Sequence, residues 1–498
     1  MPKEKQADKK KKAPAELKSK DLKSKDLKSP GQRLADKLFL SLKNCWDNID
    51  EKAGKEIDLF AASYIKMLNA GKTEREFSGA AAELLEARGF KKLESFPAKN
   101  TKPFSPGTKI YQHIRGKALV CAVVGKKPMA EGINILGAHI DSPRIDLKQN
   151  PLYEDNEFAL LDTHYYGGIK KYQWTTIPLA MHGIFFDSNG KEIKVSVGED
   201  ESDPVFTITD LLPHLAQDQM QKKASEVVEG EDLDVLAGSR PYNDEKVKEK
   251  VKLEFLSILN AKYGIDEKCF AGAEIEFVPA FKARDLGLDR SMIGGYGHDD
   301  RCCAYPSLRA LLEIAAGKET PEKTVLCYFS DKEEIGSYGN TGAQSVGFEN
   351  FVAALAGEEN LRKCFSNSSM LSADVSAAYD PVYAAVFEKR NSSYMGKGLV
   401  ISKYTGSRGK AGASDANAEF CSKVLSLLDS GKIPWQFGEF GKVDKGGGGT
   451  IALHAAKYGI EVLDCGISVL SMHSPFEVIS KVDLFTAYKA YLAFLREM

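Results

Sequence analysis

The chain has 498 residues, of which 43% are hydrophobic and 28% charged, and its formal net charge is −2. This composition is typical of a globular protein with two or three domains, and the near-neutral charge gives no bias toward nucleic acid or an anionic membrane. No run approaches the roughly 18 apolar residues of a spanning helix, and no apolar segment follows the basic N-terminus, so neither a membrane protein nor a secretory signal is expected. Nine scattered cysteines predict no disulfide framework, which favours the cytoplasm.

Residues 1–30 differ from the rest of the chain. They contain eleven lysines against five acidic residues, a local charge of +6, and the five-residue repeat of LKSKDLKSKDLKSP. A segment of this kind buries too little apolar area to offset its loss of chain entropy. It is predicted to be a disordered, solubilising tail, with a polyanion-binding arm as the alternative.

Residues 31–150 and 283–498 have the pattern of one α/β domain. Apolar spacings of three and four predict amphipathic helices in GQRLADKLFLSLKNCWDNID and in the stretch from EIDLFAAS to EARGF. Continuous apolar runs such as KALVCAVVG, INILGAHI and KTVLCYF predict strands covered on both faces. The fold class expected is α/β, a mixed β-sheet with helices on both faces.

Residues 151–282 interrupt this pattern. Short alternating runs broken by turn signals, as in MHGIFFDSNGKEIKVSVGEDESDPVFTITDLL, are typical of antiparallel strands. The segment is predicted to be an inserted β-rich domain, followed by the return of the α/β pattern.

Polar side chains follow several of the apolar strands. They are His139 and Asp141, Asp299 and Asp300, Glu333 and Glu334, Asp374, and His473. Ligand sites in open α/β sheets form outside the carboxyl ends of strands, so these groups are expected at one edge. Each alone has a simpler explanation, such as a helix cap or a hydrogen-bonded structural histidine.

The set as a whole suits a centre of two metal ions. Two histidines, two terminal carboxylates and one bridging carboxylate offer each ion three protein atoms. Three carboxylates and a hydroxide carry −4 against +4 from two divalent ions, so the cluster can be partly buried. One of the adjacent residues Glu333 and Glu334 is then expected to bind metal and the other to act as the general base, because a carboxylate that binds metal cannot also shuttle protons freely.

The blocks GAHIDSPR, GHDDR, DKEEIGS, SADVSAAYDP and VLSMHSPFE resemble the aspartyl aminopeptidase and vacuolar aminopeptidase I family of dinuclear zinc exopeptidases. The resemblance runs from about residue 31 to the C-terminus. Position by position it implies the metal ligands: His139 and Asp374 on one ion, Glu334 and His473 on the other, and Asp299 bridging both. It makes Glu333 the general base, and Asp141 the residue that orients the His139 ring.

The resemblance also implies roles for residues outside the metal centre. His214 stands where family members have a histidine that reaches a neighbouring subunit's active site, and Lys403 resembles a substrate-binding lysine. The inserted domain would then serve oligomerisation, in a homo-oligomer that is often a dodecamer. Gly446–Gly449 depart from the animal aspartyl aminopeptidases, and this loop either approaches the substrate backbone or is a flexible link.

The expected function is a metallo-aminopeptidase that removes one residue from the free N-terminus of a peptide. A hydroxide bridging two ions, most simply Zn²⁺ with Mn²⁺ or Co²⁺ as alternatives, would attack the carbonyl while Glu333 carries the proton. The N-terminal residue preferred is acidic or neutral. The alternatives are an N-acyl amino acid deacylase or carboxypeptidase with the same centre, or a catalytically silent scaffold.

Overall fold

The computed structural model describes residues 28–96, 104–187 and 189–498. The helices are α1 (Pro30–Leu38), α2 (Glu51–Ala70), α3 (Glu74–Glu86), α4 (Lys250–Tyr263), α5 (His298–Ala316), α6 (Gly347–Ala356), α7 (Leu361–Ser366), α8 (Ala418–Ser430), α9 (Ala452–Ala456) and α10 (Lys481–Glu497). Within the described ranges, no helix combines the length and the apolar character needed to cross a membrane.

In the part of the chain that the structure describes, the strands fall into sheets of nine, seven, five and two strands. They are β1 (Lys91–Lys92), β2 (Lys109–Ile114), β3 (Ala118–Val123), β4 (Asn134–His139), β5 (Arg144–Asp155), β6 (Phe158–Tyr166), β7 (Leu179–Phe186), β8 (Glu192–Val197), β9 (Thr207–Ile208), β10 (Val235–Gly238), β11 (Glu274–Pro279), β12 (Arg284–Leu286), β13 (Met292–Gly295), β14 (Val325–Ser330), β15 (Ser369–Ser372), β16 (Ser376–Ala377), β17 (Leu399–Ser402), β18 (Gly406–Ser407), β19 (Trp435–Phe437), β20 (Gly447–Gly448), β21 (Glu461–Gly466), β22 (Ser468–Leu470) and β23 (Glu477–Ser480).

The nine-stranded sheet confirms the predicted α/β fold class. Its order is β1-β2-β3-β14-β4-β15-β21-β17-β19, and β14, β4, β15 and β21 run parallel to one another. Alternate residues of β14 lie in different apolar clusters: Val325 and Phe329 pack with α5 and α10, whereas Leu326 and Tyr328 pack with α6 and α7. Because both faces are covered, these strands have the continuous apolar sequence of a buried parallel sheet.

The seven-stranded sheet is antiparallel and has its own apolar cluster. Its order is β8-β7-β11-β5-β6-β10-β9, all from residues 144–279, and the cluster includes Trp174, Phe185 and Phe277. The predicted antiparallel strand pattern is therefore confirmed. The domain boundaries at 151 and 282 and the oligomerisation role remain predictions.

The N-terminal helical prediction is partly wrong. The stretch at 31–50 was expected to be helical throughout, but α1 ends at Leu38 and Phe39 has an extended backbone. None of the residues of α1 is buried, and the helix begins with a capping box at Ser29. The second stretch forms two helices, because Thr73 starts α3 with a capping box. Residues 1–27 of the predicted disordered tail lie outside the described residues.

Candidate active site

The carboxyl ends of the parallel strands meet at one edge of the nine-stranded sheet. His139 is the last residue of β4, the Glu333–Glu334 pair follows β14, and Asp374 follows β15. Asp299 lies at the start of α5 with a non-helical backbone, φ −77° and ψ 109°. His473 comes from the turn after β22, a strand of the five-stranded sheet. Separate elements therefore deliver these side chains to one place, as the sequence predicts.

Asp299 lies between the two histidines. Its Oδ1 is 3.1 Å from Nε2 of His139, and its Oδ2 is 3.3 Å from Nε2 of His473. Oε2 of Glu334 is also 3.3 Å from the His473 Nε2, and Oδ1 of Asp374 is 4.0 Å from the His139 Nε2. The arrangement is two histidine–carboxylate pairs joined by one carboxylate.

Both imidazoles are oriented through their other nitrogen. Nδ1 of His139 is 3.1 Å from the backbone carbonyl oxygen of Asp141, and Nδ1 of His473 is 2.8 Å from that of Gly168. A carbonyl oxygen can only accept, so each Nδ1 carries a proton, and a ring that is neutral in this tautomer presents its Nε2 lone pair to the carboxylates. This is the tautomer that a metal ion requires.

Asp141 explains why two glutamates can stand side by side at a strand end. Its Oδ1 accepts the backbone N–H of Glu333 at 3.1 Å, and its Oδ2 accepts that of Glu334 at 3.2 Å. One buried carboxylate therefore fixes the turn that carries both glutamates. Oδ1 also lies 3.3 Å from Nδ1 of His139, in keeping with the orienting role predicted for Asp141.

The donor set fits divalent cations. Among the described residues, Oδ1 of Asp299 and Oε1 of Glu334 are buried without a hydrogen-bond partner. Burial raises the pKa of Glu333 to about 7, and burial with repulsion from Asp299 raises the pKa of Glu334 well above its ordinary value. Nearby positive charge would reverse these shifts, and nitrogen and oxygen donors are those that zinc accepts.

Among the described residues, possible ligand atoms form three overlapping groups, each with all its atoms within 4.8 Å of one another, and two of these groups contain His139. Of these two, one is His139, Asp299 and Glu334, and the other is His139, Asp300 and Asp374. Asp300 also accepts the backbone N–H of His139 through Oδ2, at 3.3 Å. Its second oxygen is unpaired among the described residues.

The cluster opens into a cavity of about 330 Å³. The opposite wall comes from the segments 402–410 and 439–450, and includes Tyr404, Arg408, Lys442 and the four glycines. A Cβ on Gly446 would lie 1.7 Å from the carbonyl oxygen of Phe440, whereas at Gly448 and Gly449 it would meet nothing within 4 Å. The first glycine is thus required by packing, and the last two leave open space in the wall of the cavity.

The two residues predicted to contact substrate, His214 and Lys403, do not line this cavity. His214 is exposed in the loop after β9. Lys403 donates from Nζ to Oδ1 of Asp415 at 2.7 Å, although its neighbours Ser402 and Tyr404 both line the cavity. Both roles remain predictions.

Sequence reasoning missed two residues that contact the site. Buried Glu477 accepts the backbone N–H of Asp299 at 3.1 Å and that of His473 at 2.8 Å. The hydroxyl of Tyr166 donates to Oδ2 of Asp141 at 2.8 Å. Glu477 closes the VLSMHSPFE block and could have been found there, whereas nothing near Tyr166 in the sequence indicates a partner 25 residues away.

Residues 67–495 match the family of aminopeptidase I zinc metalloproteases, M18. The chain belongs to the M18 family. It is similar to a probable M18 family aminopeptidase 1 of Clostridium acetobutylicum, with 51% identity over 92% of this chain and 99% of that protein. The crystal structure of an M18 aminopeptidase from Thermotoga maritima has a TM-score of 0.87 at 43% identity, covering 92% and 100% of the two chains.

A more distant solved structure shares the fold. The mApe1 dodecamer of S. cerevisiae has a TM-score of 0.73 at 21% identity, covering 89% of this chain and 97% of that one. The recognition of the family, the aminopeptidase activity and the zinc-exopeptidase fold expected from the motifs are confirmed.

Proposed function

We propose that this M18 aminopeptidase holds two divalent ions and moves its proton through Glu333. The ligands are His139 and Asp374 for one ion, Glu334 and His473 for the other, and Asp299 for both. The main support for this proposal is the position of the Asp299 carboxylate, whose two oxygens lie 3.1 Å from Nε2 of His139 and 3.3 Å from Nε2 of His473. Zn²⁺ is the ion proposed, and such oxygen-rich sites also accept Mn²⁺ or Co²⁺.

Two divalent ions at this position would activate both water and the scissile carbonyl as Lewis acids. The chain's own contribution is proton transfer and positioning. Glu333 lies in the cavity wall, and Asp141 holds its backbone N–H, so the carboxylate has a defined direction. A carboxylate held in this position, beside the proposed ions and facing the cavity, suits a group that accepts a proton from water and returns it to the leaving amine.

The proposed substrates are peptides with a free N-terminus whose first residue is acidic or neutral. Arg408 and Lys442 bring positive charge to the cavity, which favours an acidic side chain. The open space at Gly448 and Gly449 favours larger neutral side chains. The two features favour different N-terminal residues, and the measured order of kcat/KM across the substrates distinguishes between them.

The test is hydrolysis of aminoacyl chromogenic amides of Asp, Glu, Leu, Ala and Lys, with N-acetylated forms as controls. Each is measured with zinc, manganese or cobalt on the wild type, Glu333→Gln, and Glu51→Gln, an exposed glutamate of α2. We expect cleavage of free-amine substrates alone, and a loss of roughly 10²–10⁴-fold in kcat in Glu333→Gln only. Full activity of Glu333→Gln would refute its role, and turnover of acetylated substrates would favour a deacylase.

We further propose that the protein acts in the cytoplasm as a homo-oligomer, a dodecamer like the S. cerevisiae mApe1 structure. In that assembly His214 would complete a neighbouring subunit's site. The mass in solution tests the oligomer. Inactive His214→Ala and Glu333→Ala subunits, mixed under conditions of verified exchange, should regain activity in hybrid particles, and no recovery would contradict a shared site.

A further inference from the structure

Three consecutive residues, Tyr166 at the end of β6 and the two glycines after it, lie close to three residues of the site. Tyr166 donates its hydroxyl hydrogen to Oδ2 of Asp141 at 2.8 Å. At Gly167, where φ is +77°, an added Cβ would lie 3.4 Å from the Cβ of Glu334. The carbonyl oxygen of Gly168 accepts from Nδ1 of His473 at 2.8 Å.

The Tyr166 ring is itself held firmly. The guanidinium carbon of Arg144 lies 3.9 Å from the ring centroid, and Arg144 is the residue paired with Tyr166 in the β5–β6 register. The same guanidinium is buried and forms ion pairs with Asp146 at 2.7 Å and Glu276 at 3.2 Å. A planar guanidinium stacked on a ring and paired on its edges has little freedom to move.

We propose that the segment Tyr166–Gly168 is a positioning element through which the antiparallel sheet sets the geometry of the metal centre. The inference rests on the proposed function, since it concerns the residues assigned there to metal binding and proton transfer. Tyr166 acts through Asp141 on the Glu333–Glu334 turn, and Gly168 acts on the direction of the His473 ring. Both act on the side of the centre formed by Glu334 and His473, and Tyr166 also acts through Asp141 on Glu333 and His139.

The contacts predict a particular defect when they are removed. Without the Tyr166 hydroxyl, Asp141 keeps the two backbone N–H groups but is free to turn, so the glutamate turn loses a fixed direction. A Cβ at Gly168 would lie 3.3 Å from Nδ1 of His473, so the ring must shift. Either change should weaken metal binding and slow the chemical step, while the cavity that binds the substrate is unchanged.

The experiment compares Tyr166→Phe and Gly168→Ala with two matched controls. Tyr165→Phe changes an exposed neighbour, and Gly272→Ala adds a methyl group to open space. For each zinc-loaded variant we measure kcat and KM separately, the rate of zinc transfer to a chromogenic chelator, and the unfolding temperature.

We expect both test variants to lose roughly ten-fold or more in kcat at unchanged KM, and to release zinc roughly ten-fold faster than the controls. Rates of turnover and of zinc release equal to those of the controls would overturn the proposal. If Tyr166→Phe does not fold, Gly168→Ala carries the same test. Loss of the proposed function has a different signature, since Glu333→Gln would then remain active.

Discussion

Replacing Asp141 by asparagine should damage both stability and activity, because the carboxylate accepts from donors on three elements. Oδ1 accepts the backbone N–H of Glu333 and faces Nδ1 of His139, and Oδ2 accepts the N–H of Glu334 and the Tyr166 hydroxyl. Asparagine keeps the shape but exchanges one acceptor oxygen for a donating NH₂ group. Whichever way the amide is turned, one backbone N–H of the glutamate turn faces another donor.

The expected loss of stability follows from the backbone N–H that is left without an acceptor. Leaving a buried donor without an acceptor costs about 1–3 kcal/mol, and bonds to a neutral amide are weaker than bonds to a carboxylate. We therefore expect Asp141→Asn to lower the free energy of unfolding by about 2–4 kcal/mol. Because the same turn directs Glu333 and Glu334, kcat should fall roughly 10–100-fold.

Urea unfolding and steady-state kinetics of Asp141→Asn measure the two effects. Asp187→Asn is the control, since Oδ1 of Asp187 also accepts two backbone N–H groups, of Asn189 at 2.8 Å and Lys191 at 2.9 Å, but in an exposed turn. Water can replace those bonds, so the control should change stability by no more than about 0.5 kcal/mol. Equal behaviour of the two variants in both measurements would refute the role given to Asp141.

Three further outcomes are expected. Gly448→Leu fills open space in the cavity wall, so kcat/KM should fall roughly ten-fold or more for a leucyl amide but little for an alanyl amide, with Gly272→Leu as control. Burial lowers the pKa of His182, but ion pairs with Glu199 and Glu76 outweigh it and raise the pKa to about 9. The protein should therefore lose up to about 3 kcal/mol of stability between pH 6.5 and 9, a slope absent in His182→Gln. Dialysis against a chelator should abolish activity and lower the unfolding temperature, and zinc should restore both.

The stability of the protein should fall, and not rise, as His182 loses its proton. A histidine whose pKa is higher in the folded protein stabilises the fold fully below its unfolded pKa of 6.5, and this stabilisation is lost as the pH rises through about 9. Equilibrium unfolding at several pH values measures it. A stability that rises across this range, or an equal slope in His182→Gln, would contradict the ion pairs at 2.7 Å and 3.0 Å.

The sequence was most informative where structure depends on neighbours along the chain. The apolar runs of β4 and β14 could be read directly, because a strand covered on both faces has no room for polar residues. The groups that follow these strands were then expected at one edge. Helix ends were harder to predict: α1 ends at Leu38, where the backbone of Phe39 becomes extended, although the apolar spacing of the sequence continues beyond that point.

What the amino-acid sequence determined by itself is the family, the α/β class and the chemical types available at the strand ends, because motif spacing and apolar periodicity are local properties. Only the tertiary structure decided that Asp299 lies between His139 and His473, and that Gly448 faces open space while Gly446 touches the Phe440 carbonyl. It also decided that Tyr166 supports Asp141. These are distances between atoms far apart in the chain, and they follow from how the sheets pack rather than from any pattern in the residues themselves.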